Sequence, residues 1–351
     1  MNPFIYIRGL RHVDLSVFCV ENGQKFYQDP VFQKIRVPYS SGQQVKRSFL
    51  DAINTELQTD PSMVTFVFDV NSKGALGEGE VLSLCDPQYY DQIFGGWMSA
   101  TKGGGEKTKK RRSPFSISAM RPLHPLLGGV FTESITFDRS NKPGLHKVIV
   151  RDSNGNPMTE EQIEVLLTGT DRSLYRKWIP DSKNPRATGL FVYDIAIDLR
   201  TLFAVSTNQL EPEISKEKIE ELKEKEWVLS KNVFGECLVM PKELRDKAIP
   251  AIAKALINWR ITSNQARTFS LMETLAIAIS SNANSLAGAI RAKLIEDGEK
   301  LKAKPIIDET AGADVFVTLP CSGYVLTVNE SSDALDKAEQ KLIEIMNTFD
   351  Y

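Results

Sequence analysis

The chain has 351 residues, 42% of them hydrophobic and 25% charged, with a formal net charge of -2. That is enough apolar material to bury a core, as one large elaborated domain or two smaller ones. No stretch approaches the roughly 18 apolar residues of a membrane span, and MNPFIYIRGL lacks the charged-then-apolar pattern of a signal peptide. No membrane is expected among the partners, and the cytoplasm is the default location.

From His12 to Val20 the chain alternates, with Val13, Leu15, Val17 and Cys19 on one side, which predicts a half-buried strand. A loop to Tyr39 follows. Val45, Phe49, Ala52, Ile53 and Leu57 then recur at helical spacing, and Ser41 stands three before Gln44, the pattern of a capping box. MVTFVFDV (63–70) predicts a second strand. From Asn71 to Thr188 only short apolar pieces stand between breakers such as KGGGEKTKKRR and RPLHPLLGG, as in excursions from a core. GLFVYDIAIDLRTLFAV (189–205) predicts a strong strand, and EISKEKIEELKEKEW a solvated helix. Next come a helix over 242–259 interrupted by Pro250, a strand over 269–279, a helix over 285–298, a strand over 314–328 and a helix over 332–346.

Strands and helices alternate at both ends around a long irregular middle. This suits an α+β fold with a ferredoxin-like β-α-β-β-α-β core carrying large insertions, divided as 1–70, 71–188 and 189–351. A doubly wound parallel sheet competes, but no Gly-rich dinucleotide turn follows the first strand.

Catalytic motifs are missing. GGGEKTKK is not a phosphate loop, because Glu106 and not Gly precedes Lys107, and neither GxSxG nor HExxH occurs. Cys19, Cys85, Cys237 and Cys321 form no CxxC pair, and His12, His124 and His146 lack ligand spacing. Reduced thiols are expected, with no structural metal and no cofactor.

Charge is segregated. Between Thr101 and Arg151 eleven Lys or Arg stand against three Asp or Glu, a balance of +8, so the remainder carries -10. A basic insert on an acidic body is expected where one face meets a polyanion, although a solvated loop has the same composition. Lys46 and Arg47 lie near a helix N-terminus, where the dipole disfavours cations unless an anion sits there. They either face a phosphate, or extend into water or pair with Asp51 or Asp14. WRITSNQARTFS (259–270) clusters Arg260, Ser263, Asn264, Gln265 and Arg267 before a strand. DRSLYRKWIPDSKNPR (171–186) sets Tyr175 and Trp178 among Arg172, Arg176, Lys177, Lys183 and Arg186, a mixture suited to stacking bases and holding phosphates. The alternative there is a surface loop with Trp178 tucked into the core.

The first strand, the loop ending VPYSSGQQVKRSFLDAI, SPFSISAMRPL, TGLFVYDIAIDL and NQARTFS together resemble the DevR-like backbone subunit of type I CRISPR Cascade, the Cas seven family of the RAMP proteins. The pieces cover most of the chain in order. The resemblance implies a hand: a ferredoxin-like palm of the RNA-recognition type, with fingers and thumb as insertions. Several copies would stack along one crRNA guide, beside other Cascade subunits, and leave its bases free to pair with target DNA. It further implies that Ser41, Gln43, Gln44, Lys46, Arg47 and Arg267 grip the guide backbone and that Met120 and Arg121 belong to the thumb. Lys107, Lys109, Lys110, Arg111 and Arg112 would then lie near the target strand. Type III relatives cut RNA with an aspartate before the first helix. Asp29 lies in that loop, but its Asp-Pro matches a second, non-catalytic one, so a scaffold is expected rather than an endoribonuclease or a stand-alone RNA-binding protein.

Overall fold

The computed structural model describes residues 2–18, 24–32, 35–100, 107–180, 184–263, 265–298, 300–327 and 329–351. Two compact units are present: Met1–Gly129 with Ala187–Tyr351, and Val130–Arg186.

The larger unit is built on β1 (Phe4–Ser16), α1 (Gly42–Leu57), β2 (Pro185–Asp198), α2 (Lys242–Asn258), β3 (Thr274–Ser280), β4 (Asp314–Val317) and α3 (Ala334–Asn347). The strands run in the order β2, β1, β3, β4, and every neighbouring pair is antiparallel. β1 opposes β2 from Phe4 against Asp198 to Ser16 against Ala187, and β3 from Tyr6 against Ser280 to Arg11 against Thr274. The short pieces Phe115–Ile117 and Arg121–Pro122 also pair with β2. Helices over an antiparallel sheet make this an α+β fold.

Alternation decides which side chain meets which layer. Ile5, Ile7 and Val13 of β1, with Phe191, Ile195 and Ile277 from its neighbours, pack against Val45, Phe49 and Ile53 of α1, Ile252 and Leu256 of α2, and Leu342 and Met346 of α3. Fully burying each such side chain contributes roughly 1.5–3 kcal/mol. Leu10, Val192, Leu275 and Ala278 face the other way and are covered by Leu286 and Ala289 of the short helix Ala283–Ala289, and by Cys321 and Val325. Apolar packing therefore covers both faces. At Gly9 the layers close so tightly that a Cβ would stand 2.3 Å from the Tyr193 ring.

Several expected elements shift. The first strand begins at Phe4, eight residues before the alternation read from His12, and ends at Ser16 after a register break at Leu15, whose φ is 47°. Helix α2 runs unbroken through Pro250. The strand expected over 269–279 starts only at Thr274, because Met272 also turns left-handed at φ 46°. The helix expected over 285–298 stops at Ala289, and Ile290–Asp297 is instead a strand paired with Lys300–Ile307. β4 ends at Val317, where a 3-10 turn over Leu319–Gly323 carries Pro320, which has no amide to offer a ladder. MVTFVFDV does contain a strand, Val64–Val67, paired with Glu80–Ser83.

In the smaller unit, Ile135–Asp138 pairs with Arg176–Ile179, and the helix Glu160–Leu167 carries a complete capping box from Thr159 and Gln162.

Candidate nucleic-acid interface

At the C-terminal end of β1 the larger unit gathers three stretches that lie far apart in sequence. Ser41 caps α1, its hydroxyl accepting from the Gln44 amide at 3.3 Å. The expected capping box is only half formed. The Gln44 side chain does not return to the cap; its Nε2 donates to Ser263 Oγ at 3.0 Å, joining the helix start to the turn before β3. Ser40 exchanges backbone hydrogen bonds with Met120, at 2.9 and 3.0 Å, which brings the SAMRP stretch to the same helix end. Gln265 fixes the turn to β1, with Nε2 donating to the Val17 carbonyl at 2.7 Å and Oε1 accepting from Ser16 at 3.2 Å.

Around this junction Gln43, Arg47, Arg267 and Phe269 are exposed. Phe269 is 69% exposed two residues from Arg267, so an aromatic face and a guanidinium project from one turn. The first amides of α1 supply further donors. Leu15 and Met272, two of the five non-glycine residues with positive φ among the described residues, flank the turn, and Ser270 Oγ receives the amides of Asp14 and Met272, both at 3.2 Å. Strain of this kind collects where a surrounding structure fixes a loop shape. The ensemble can accept phosphates along a helix end and stack one base.

Not every residue expected here faces outward. Lys46 donates through Nζ to the Gly95 carbonyl at 2.7 Å, and burial lowers its pKa. Arg47 forms the i,i+4 pair with Asp51 at 3.0 Å on an exposed surface. Met120 is fully buried in the core, so its side chain packs and cannot touch a ligand. Gln265 is buried too and serves the turn. Arg121 joins Arg8 on Asp194, at 3.2 and 2.6 Å. Asn264 lies outside the described residues.

The basic stretch is partly structural. Lys109–Arg111 is a strand paired with Trp97–Ser99. Arg111 is buried beside the Trp97 ring and donates to the Thr201 carbonyl at 2.6 Å, its pKa lowered by burial. It cannot reach a target strand. Lys107 donates to the Gln209 carbonyl at 3.1 Å, Lys109 is half-buried, and Lys110 and Arg112 are exposed. Asp29 accepts from the Val31 and Phe32 amides at 2.9 and 3.0 Å and so shapes a turn. In the smaller unit Trp178 is 63% exposed rather than tucked into a core, and it shares a ribbon face with Arg176, which pairs with Asp138. Lys177 is exposed on the opposite face.

Sequence reasoning passed over two residues at this end, one that holds it together and one that is exposed on it. Arg11, fully buried in β1, donates to the Trp259 and Ile257 carbonyls at 2.9 and 3.1 Å, closing the C-terminus of α2 where a cation is favoured. Its guanidinium lies 3.9 Å from the Trp259 ring centre, and burial pulls its pKa down to about 10. Phe269 was legible only as an aromatic beside a cation in RTF. An Arg inside an otherwise apolar strand was the signal for Arg11.

No protein-family model and no curated protein matches the chain. Among solved structures it is similar to a chain described as "CRISPR RNA-guided surveillance complex, pre-nicking", with a TM-score of 0.42 and 9% identity over 97% of this chain and 89% of that one. A second, described as "CRISPR RNA-guided surveillance complex", gives a TM-score of 0.37 and 9% identity over 97% and 84%.

Proposed function

We propose that this chain is a non-catalytic, guide-RNA-binding backbone subunit of a CRISPR Cascade, a DevR-like member of the Cas seven family with a ferredoxin-like palm. The observation that supports it best is the Gln44 to Ser263 hydrogen bond. It ties SSGQQVKR to Ser263, the residue immediately before NQARTFS, across 219 positions, while Ser40 and Met120 add SAMRP. These are the stretches on which the resemblance rests, and they meet beside exposed Gln43, Arg47, Arg267 and Phe269. A helix N-terminus, two guanidinium groups and an aromatic side chain fit a single-stranded phosphate backbone with one stacked base. Copies of the chain would follow one crRNA together with other Cascade subunits, the insertions serving as fingers and thumb. Sequence specificity would then lie in the pairing of guide with target DNA.

Arg47→Ala with Arg267→Ala tests the reading. RNA affinity should fall by about tenfold or more, equally for guides of different sequence, because phosphate contacts carry no base identity. Thermal stability should hardly move. Unchanged RNA affinity would remove this junction as the grip.

A further inference from the structure

The strand pair Ile290–Asp297 and Lys300–Ile307 is anchored in the second apolar layer by Ile290 and Ile307, but its exposed remainder is a feature that neither the RNA reading nor the core requires. Its register sets Arg291 opposite Ile306, Lys293 opposite Lys304, Ile295 opposite Lys302 and Asp297 opposite Lys300. Since side chains alternate across a strand, these eight residues share one face, and that face holds all five cations of the two strands. The other face has Leu294, Leu301, Ala303 and Pro305, with Glu296 as its lone charge. From Lys293 to Asp297, and at Lys300, Leu301, Lys302 and Lys304, the ribbon is exposed.

The basic face is only partly neutralised from within. Arg291 pairs with Asp308 at 3.0 Å, and Lys302 pairs with Asp297. Lys293, Lys300 and Lys304 have no acidic partner among the described residues. Like charges directly opposite one another, as at Lys293 and Lys304, destabilise a strand pair. A polyanion laid along the face would reverse that sign.

The shape narrows the class of polyanion. Residues 290–307 include no Phe, Tyr or Trp, so the ribbon offers nothing on which unpaired bases could stack. Eight residues per strand give a rod roughly 26 Å long. A two-stranded ribbon enters the major groove of B-form DNA, about 12 Å wide, whereas the major groove of A-form RNA is too narrow for side chains. We propose that the Ile290–Ile307 ribbon docks on double-stranded DNA, its lysines meeting the groove phosphates without reading sequence. The inference goes beyond the RNA reading and does not rest on it.

The test uses the full chain carrying Lys293→Gln, Lys300→Gln and Lys304→Gln together, titrated against a mixed-sequence DNA duplex of about two helical turns. The parent should bind, and the variant should lose about tenfold or more. Its plot of log affinity against log salt should be shallower by about 2.7, the share of three phosphate contacts. Glu296→Gln, on the opposite face, should lose nothing. Affinity for single-stranded guide RNA should stay within about twofold of the parent, while the Arg47 and Arg267 variant should show the reverse selectivity. The melting temperature of the triple variant should hold or rise as the Lys293 and Lys304 repulsion is relieved. A parent that ignores duplex DNA at low salt, a triple variant that binds it normally, or duplex RNA bound as tightly as duplex DNA would overturn the proposal. Equal loss of single-stranded RNA would also overturn it, by making the ribbon part of a general RNA surface.

Discussion

The ammonium of Lys46 lies 2.7 Å from the Gly95 carbonyl at the C-terminal end of the short helix Tyr90–Gly95, while the guanidinium of Arg47 pairs with Asp51 in solvent. Adjacent residues therefore act on different things. Lys46→Ala should lower stability by about 1–2 kcal/mol in urea titration, because it strips a charged donor from a carbonyl with limited access to water. Arg47→Ala should change stability by less than about 0.5 kcal/mol, as exposed i,i+4 pairs do. Burial also sets a pH signature. The folded pKa of Lys46 is below 10.5, so in the window between that lowered value and 10.5 the unfolded chain holds more protons, and stability rises with pH. The parent should gain on Lys46→Ala across that alkaline window, seen as a growing difference in urea midpoint. A constant difference would mean that Lys46 is solvated. The pairing of Arg47 with Asp51 was open in the sequence as an i,i+4 spacing. The Gly95 partner of Lys46 was not, because a contact 49 residues away leaves no local pattern.

Local rules read the elements well where capping and period agree. Ser41 before Val45, Phe49 and Ile53 is enough to specify α1. They fail where composition and pairing disagree. AIRAKLIEDG is rich in good helix formers, yet only its first residue, Ala289, stays helical and Ile290–Asp297 joins a strand pair. The better signal was Lys300-Leu-Lys-Ala-Lys304, whose strict alternation after Gly298 is that of a strand. Pro250 misled in the other direction. It is exposed, and α2 continues through it, held on its buried face by Ile249, Ile252 and Leu256. A mid-helix proline lacks the amide and crowds the preceding turn, so Pro250→Ala should raise stability by about 1 kcal/mol or more, read in urea. A loss on that substitution would mean that the proline ring fits a bend on which the core depends.

Across the whole chain, the +8 balance of residues 101–151 pointed to a polyanion, but part of that charge serves the fold. Arg111 is buried beside Trp97, and Lys107 closes a carbonyl at Gln209. Cations come free elsewhere, on the ribbon at Lys293, Lys300 and Lys304, which composition alone did not mark. The junction at the end of β1 was half legible, since its motifs could be read singly but their meeting through Gln44 and Ser263 required the fold. The central claim is that these motifs grip a guide RNA in copy after copy. It is tested most directly by expressing the chain with repeat-spacer transcripts of increasing length and measuring the native mass of what is recovered. The account predicts RNA-bound assemblies whose mass rises by whole copies of the chain as the spacer lengthens. An RNA-free monomer of constant mass would contradict it.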